Sequence, residues 1–166
     1  MAAIQKQQRP GAHWFGKWFY GIDGFPVKEH ALELIKAVFT VAGGDGSISD
    51  VERNFFLGYL DAVGLPEELH EFIKTYPGGE KLEDILANAQ GIKDDSAKRS
   101  ILYTAILVAS ADGYAAGEHD QVVKFAGILG VSAEDVAEIE ALAEAERKQG
   151  EERRRILFRG NNPWAN

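Results

Sequence analysis

Ala42-Gly43-Gly44-Asp45-Gly46-Ser47-Ile48-Ser49-Asp50-Val51-Glu52 is the stretch on which the reading of the fold turns. Apolar residues recur at helical spacing on both sides of it, so the chain leaves one helix, bends through glycines and enters another. Farther along, Ala109-Ser110-Ala111-Asp112-Gly113, followed by Glu118, does the same. Laying residues 27–72 over 94–138 aligns the two bends. At an offset of 67, Leu34 meets Ile101, Phe39 meets Ile106, Asp45 meets Asp112 and Gly46 meets Gly113. Beyond the bend the offset falls to 66, where Glu52 meets Glu118, Phe56 meets Val122, Tyr59 meets Phe125 and Gly64 meets Gly130. The second bend is one residue shorter, and core periodicity makes Glu118, not His119, the counterpart of Glu52. Two such units, each with an apolar face it cannot bury alone, are expected to pack as a pseudo-symmetric bundle.

No stretch keeps the strict alternation of a half-buried strand, so the fold class is all-α, a single-domain helical bundle of two helix-loop-helix repeats. The spacing predicts helices over 27–42, 50–63, 66–75, 81–89, 96–110, 118–129 and 133–147, the last running on toward 158. Pro66 marks a first helical turn, Ser132 an N-cap, and Pro77-Gly78-Gly79 a break. The organisation expected is a basic aromatic segment at 1–26, a helical domain at 27–150 with repeats at 27–76 and 93–147, and a basic tail at 151–166.

Charge is distributed unevenly. The net charge of -8 divides into +3 over residues 1–22, +4 over 147–166 and -15 between them. An acidic body of this kind repels nucleic acid backbones and attracts cations, so no nucleic-acid partner is expected. The chain has no cysteine. Disulfides, thiolate metal sites and cysteine nucleophiles are thereby excluded, and any metal must be held by oxygen or imidazole. No apolar run is long enough for a membrane span or resembles a secretory signal, which predicts a cytoplasmic protein.

The bends carry the candidate chemistry. With Gly46 at the sixth position of an EF-hand loop, Asp45 is the fifth and Glu52 the twelfth. The first and third positions then fall on Val41 and Gly43, and in the second bend on Val108 and Ser110, so each loop alone has about half of a calcium cage. Brought together, Asp45, Glu52, Asp112 and Glu118 could share one cation or two close ones. A second account needs no ion: Ser49-Asp50-Val51-Glu52 is also a capping box, and Gly46 and Gly113 then serve only tight turns. That account suits the second bend less well, since Ala115-Ala116-Gly117 has no capping side chain.

These residues, together with the Gly64-Leu65-Pro66 and Gly130-Val131-Ser132 steps, resemble the TerB family of tellurite-resistance proteins over residues 27–146. The shortened second bend and His119 beside Glu118 depart from the usual pattern. The resemblance implies an all-helical bundle in which the acidic residues of both Asp-Gly bends gather as a divalent-cation site. It also implies partnership with other proteins of a resistance system, a membrane protein among them, and hence a place peripheral to the inner membrane. No catalytic activity comes with it. Without cysteine the chain cannot reduce tellurite through thiols of its own.

The function expected is therefore a non-catalytic scaffold or adaptor of a metal stress response that binds a divalent cation, calcium, magnesium or manganese, at Asp45, Glu52, Asp112 and Glu118. Two alternatives stay open: a metal-dependent hydrolase that uses the clustered carboxylates, and an ion-free protein-interaction domain. Outside the bends, His13-Trp14-Phe15-Gly16-Lys17-Trp18-Phe19-Tyr20 is aromatic and basic. Residues four apart would lie on adjoining faces of a short helix, either folded back over the bundle or presented to an interface. His13, His30, His70 and His119 show no metalloprotease spacing, and no nucleophile elbow, P-loop or dinucleotide motif is present.

Overall fold

The computed structural model describes residues 10–22, 31–87 and 94–159. The helices are α1 (Pro10–Phe15), α2 (Ala31–Ala42), α3 (Asp50–Val63), α4 (Glu67–Thr75), α5 (Leu82–Ala87), α6 (Asp95–Ala109), α7 (Ala116–Leu129) and α8 (Ala133–Leu157). A π-helical turn, Gly16–Tyr20, continues α1, and a 3-10 turn, Gly43–Asp45, follows α2. No strand occurs among the described residues. The parts of the expected helices at 27–30 and 88–89 lie outside them, as do His30 and the ends of the two flanking segments.

Local chemistry sets the helix ends. Ser49 opens α3 and Ser132 opens α8, each hydroxyl accepting the N–H three residues on, from Glu52 and Asp135, both at 3.1 Å. Asp94 does the same for α6 through Ala97 N–H at 3.0 Å. Gly64 and Gly130 close α3 and α7 in the left-handed region, at φ 75° and 72°. There Leu65 N–H reaches Leu60 O and Val131 N–H reaches Ala126 O, the bonding of a Schellman end. Pro66 stands one place earlier than expected. Its ψ of 145° is extended, so it is the N-cap of α4 and not part of its first turn.

The core forms around α2 and α6, which pack against each other at the centre. Phe39, Val41, Leu102, Ala105 and Val108 are fully buried, and α7 adds Val122 and Phe125, α5 Leu82, and α4 Ile73. Burial of this depth costs about 3–5 kcal/mol to undo at a phenylalanine such as Phe39. Phe39 and Phe56 meet edge to face, with ring centres 5.1 Å apart. Arg53 lays its guanidinium over the Phe39 ring and donates to Ile73 O at 2.6 Å and Tyr76 O at 2.9 Å. It thus satisfies carbonyls at the end of α4 that the helix leaves open.

The two ends of the chain are built in different ways. α8 runs unbroken through Gly150 to Leu157, the continuation toward 158 that the spacing predicts, so residues 151–157 of the basic tail are helical. Pairs at helical spacing, Arg147 with Glu144 and Glu151, and Arg155 with Glu152, sustain it. The aromatic segment divides its side chains between core and surface. In a π turn, residues five apart come to share a side: Phe15 and Tyr20 point inward, their rings 5.8 Å apart, and Phe15 meets Tyr59. Tyr20 Oη lies 3.1 Å from Tyr59 Oη. Trp14 and Phe19, also in contact, stay outside with Trp18.

Candidate metal centre

Each acidic bend ends on a glutamate at the third position of the following helix, and both glutamates turn back. Glu52 Oε2 accepts the Ser49 N–H at 2.6 Å, and Glu118 Oε2 accepts the Ala115 N–H. The first bend completes the reciprocal box through Ser49 Oγ. Ala115 has no side-chain acceptor, so the second has half of it. Capping accounts for one oxygen of each glutamate.

What remains of the carboxylates converges. Glu52, Asp112 and Glu118 each offer an oxygen within 4.8 Å of the other two. Both glutamates are only 2% exposed, whereas Asp112 is open to solvent. Glu52 Oε1 is buried and has no hydrogen-bond partner. Orphaned buried oxygens of this kind are uncommon and costly, and a proton or a cation is what relieves them.

The main chain makes this convergence possible at Gly44 and Gly117. A Cβ on Gly44 would stand 2.6 Å from Gly117 O and 2.9 Å from Glu118 Cα, and one on Gly117 would run into Gly44 O. Only glycine at both positions lets the 3-10 turn lie against the first turn of α7. Sequence reading did not single out this pair for close approach. Its signal was present in the glycines on the α2 side of Asp45 and immediately before Glu118.

Asp45 stands slightly apart. It is exposed, outside the group of three, and its Oδ1 accepts the Ser47 N–H at 3.1 Å. Its charge nevertheless acts on Glu118, as that of Asp112 acts on Glu52, so each aspartate bears on the glutamate of the other bend. Burial, then the charges of Glu52 and Asp45, push the Glu118 carboxyl up to about 7 against the pull of its Ala115 bond. Burial also raises Glu52, with the two Ser49 bonds opposing and Asp112 adding to the rise. The centre is a set of carboxyls that resist being charged together, the condition in which a hard cation is most strongly favoured.

His119 is half exposed and directs Nδ1 to Glu140 at 2.8 Å, not into the group. Tyr114 donates to the same Glu140 oxygen at 2.7 Å, so α8 holds the second bend from outside. Neither contact was foreseen from the sequence.

No family model matches the chain, and no curated protein does. Among solved structures, a tellurite resistance protein from Nostoc punctiforme is similar over 99% of this chain and 100% of its own, with 31% sequence identity and a TM-score of 0.76. Identity at that level over the full length of both proteins, on the same all-helical fold, means that the chain belongs to the TerB-like family of tellurite-resistance proteins.

Proposed function

We propose that the protein is a non-catalytic scaffold of a tellurite and metal stress response that holds a divalent cation between its two acidic bends. The observation carrying this reading is Glu52 Oε1, buried and unpartnered in a group of carboxylates supplied by distant parts of the chain. Glu52, Asp112 and Glu118 would be the ligands, with Asp45 adding negative charge beside Glu118. An oxygen-only set suits calcium, magnesium or manganese better than zinc. Bound there, the ion supplies the positive charge that two buried glutamates otherwise lack. The protein does the rest: the Ser49 and Ala115 N–H groups orient the carboxyls, and the Gly44–Gly117 contact holds the bends together. Tying the bends would fix the surface around them for docking by other proteins of the resistance system, a membrane protein among them, from the cytoplasm. No helix among the described residues is long and apolar enough to cross a membrane. The name borne by the Nostoc protein supports the link to tellurite.

The capping bonds favour one rival, an ion-free interaction domain in which the glutamates act only on their own helices. Thermal melting of chelator-treated protein with calcium, magnesium or manganese added back separates the two. A cation at a hundred times its Kd contributes about 2.7 kcal/mol, a rise of about 5 to 10 °C for a chain of this size. Glu52→Gln and Asp112→Asn are each expected to abolish the rise. If none of the three ions moves the wild-type transition, the rival stands.

A further inference from the structure

We infer that the face formed by the π turn and the end of α8 docks directly on an anionic lipid surface. Trp14, Trp18 and Phe19 are 59%, 75% and 55% exposed, an amount of aromatic surface that water does not favour. The segment they stand on carries Lys17 and no acidic residue. Opposite lies α8. Phe15 at the end of α1, with Phe19 and Tyr20 of the π turn, lines one wall of a groove of about 1140 Å³, and α8 lines the other, acidic over residues 140–146 and turning basic at its far end, at Arg154. Past that point α8 presents Ile156 and Leu157, both exposed, among Arg153, Arg154, Arg159 and the Arg155–Glu152 pair.

Two elements from opposite ends of the chain thus place aromatic and aliphatic side chains beside a surplus of positive charge. Tryptophan is at home at the level of lipid headgroups, where its ring is partly buried and its N–H stays wet. Basic side chains beside it add attraction to anionic headgroups. The charge of the remaining molecule, -15, fixes the orientation, because the acidic body is repelled by the same surface that draws the basic face. An acidic protein could satisfy the arginines, but two exposed tryptophans that lie outside the groove suit a fluid interface better than a fitted pocket.

Co-sedimentation of the full chain with vesicles tests this. Vesicles of phosphatidylglycerol and phosphatidylcholine in equal parts are expected to carry the protein down at low salt, and phosphatidylcholine alone to leave it in solution. Trp14→Ser with Trp18→Ser, and separately Arg153→Glu with Arg154→Glu, are each expected to weaken binding by about tenfold or more. Rising ionic strength releases the wild type. All four side chains are exposed, and an unchanged melting transition confirms that the variants fold. Failure to sediment with the anionic vesicles overturns the inference, as does sedimentation that neither double substitution reduces. A concentration-dependent dimer that the tryptophan substitutions disrupt, without lipid binding, assigns the face to a second copy of the chain and overturns it as well.

Discussion

The entries into α3 and α7 set the same glutamate in two different frames. Glu52 has Ser49 ahead of it and takes part in both bonds of the capping box, accepting the Ser49 N–H and donating its own to Ser49 Oγ; Glu118 has Ala115 and accepts only the main-chain N–H. Both carboxyls are equally buried. The hydroxyl is among the influences that restrain the rise of Glu52, and its counterpart is missing at Glu118, which is pushed up to about 7. The comparison teaches that helix capping and cation attraction are not competing explanations of these residues. One oxygen serves the helix, and that local bond is one influence on how readily the carboxyl as a whole carries charge. Burial, which raises both glutamates, acts beside it, as does their mutual pairing, which lowers Glu52 and raises Glu118.

The largest effect expected from this asymmetry is on stability against pH in the presence of a chelator. Glu118 titrates near 7 in the fold and near 4.5 when unfolded, so the folded state binds more protons in between. Stability is accordingly highest below about pH 4.5 for this group and declines as pH rises toward 7, by about 3 kcal/mol in total. Urea unfolding at pH 5 and pH 7.5 measures the decline, and Glu118→Gln should flatten it. A wild-type profile that rises over the same interval would contradict the burial argument. Next in size is Gly117→Ala, which drives a methyl group into Gly44 O and is expected to cost about 2 kcal/mol and to loosen the carboxylate group. Gly58→Ala on the open side of α3 is the contrast, with a gain of about 0.5 to 1 kcal/mol. The smallest effect should come from exchanging the frames. Ser49→Ala is expected to cost about 1 kcal/mol, and Ala115→Ser to gain about half as much. NMR titration of the side-chain carboxyls should show Glu52 moving up in the first variant and Glu118 moving down in the second.

Where local chemistry decided the structure, the sequence was a sufficient guide. α3 begins and ends where Ser49 and Gly64 place its boundaries, because cap and left-handed glycine are both encoded beside the helix. The choice of Glu118 over His119 followed from core periodicity, and the structure buries the first and leaves the second exposed. Three of the four predicted carboxylates come together, whereas Asp45 is drawn toward Ser47 by a turn that spacing alone does not reveal. Long-range geometry was not legible. Nothing near Trp14 announces a π turn, so the expected four-apart contact of Phe15 with Phe19 is joined by pairs five apart, Phe15 with Tyr20 and Trp14 with Phe19. The meeting of Gly44 with Gly117 depends on how two distant helices pack, which no local pattern states.

Arg53 gives α3 a double attachment. It follows Glu52 directly, so the two side chains leave the helix about 100° apart. One reaches the carboxylate group, the other the last carbonyls of α4. A rigid rod gripped at neighbouring points cannot roll without disturbing both. Any rotation that adjusts Glu52 to its charge state is therefore transmitted to the corner at Tyr76, making that remote bend a place to look for a mechanical echo of events at the acidic centre.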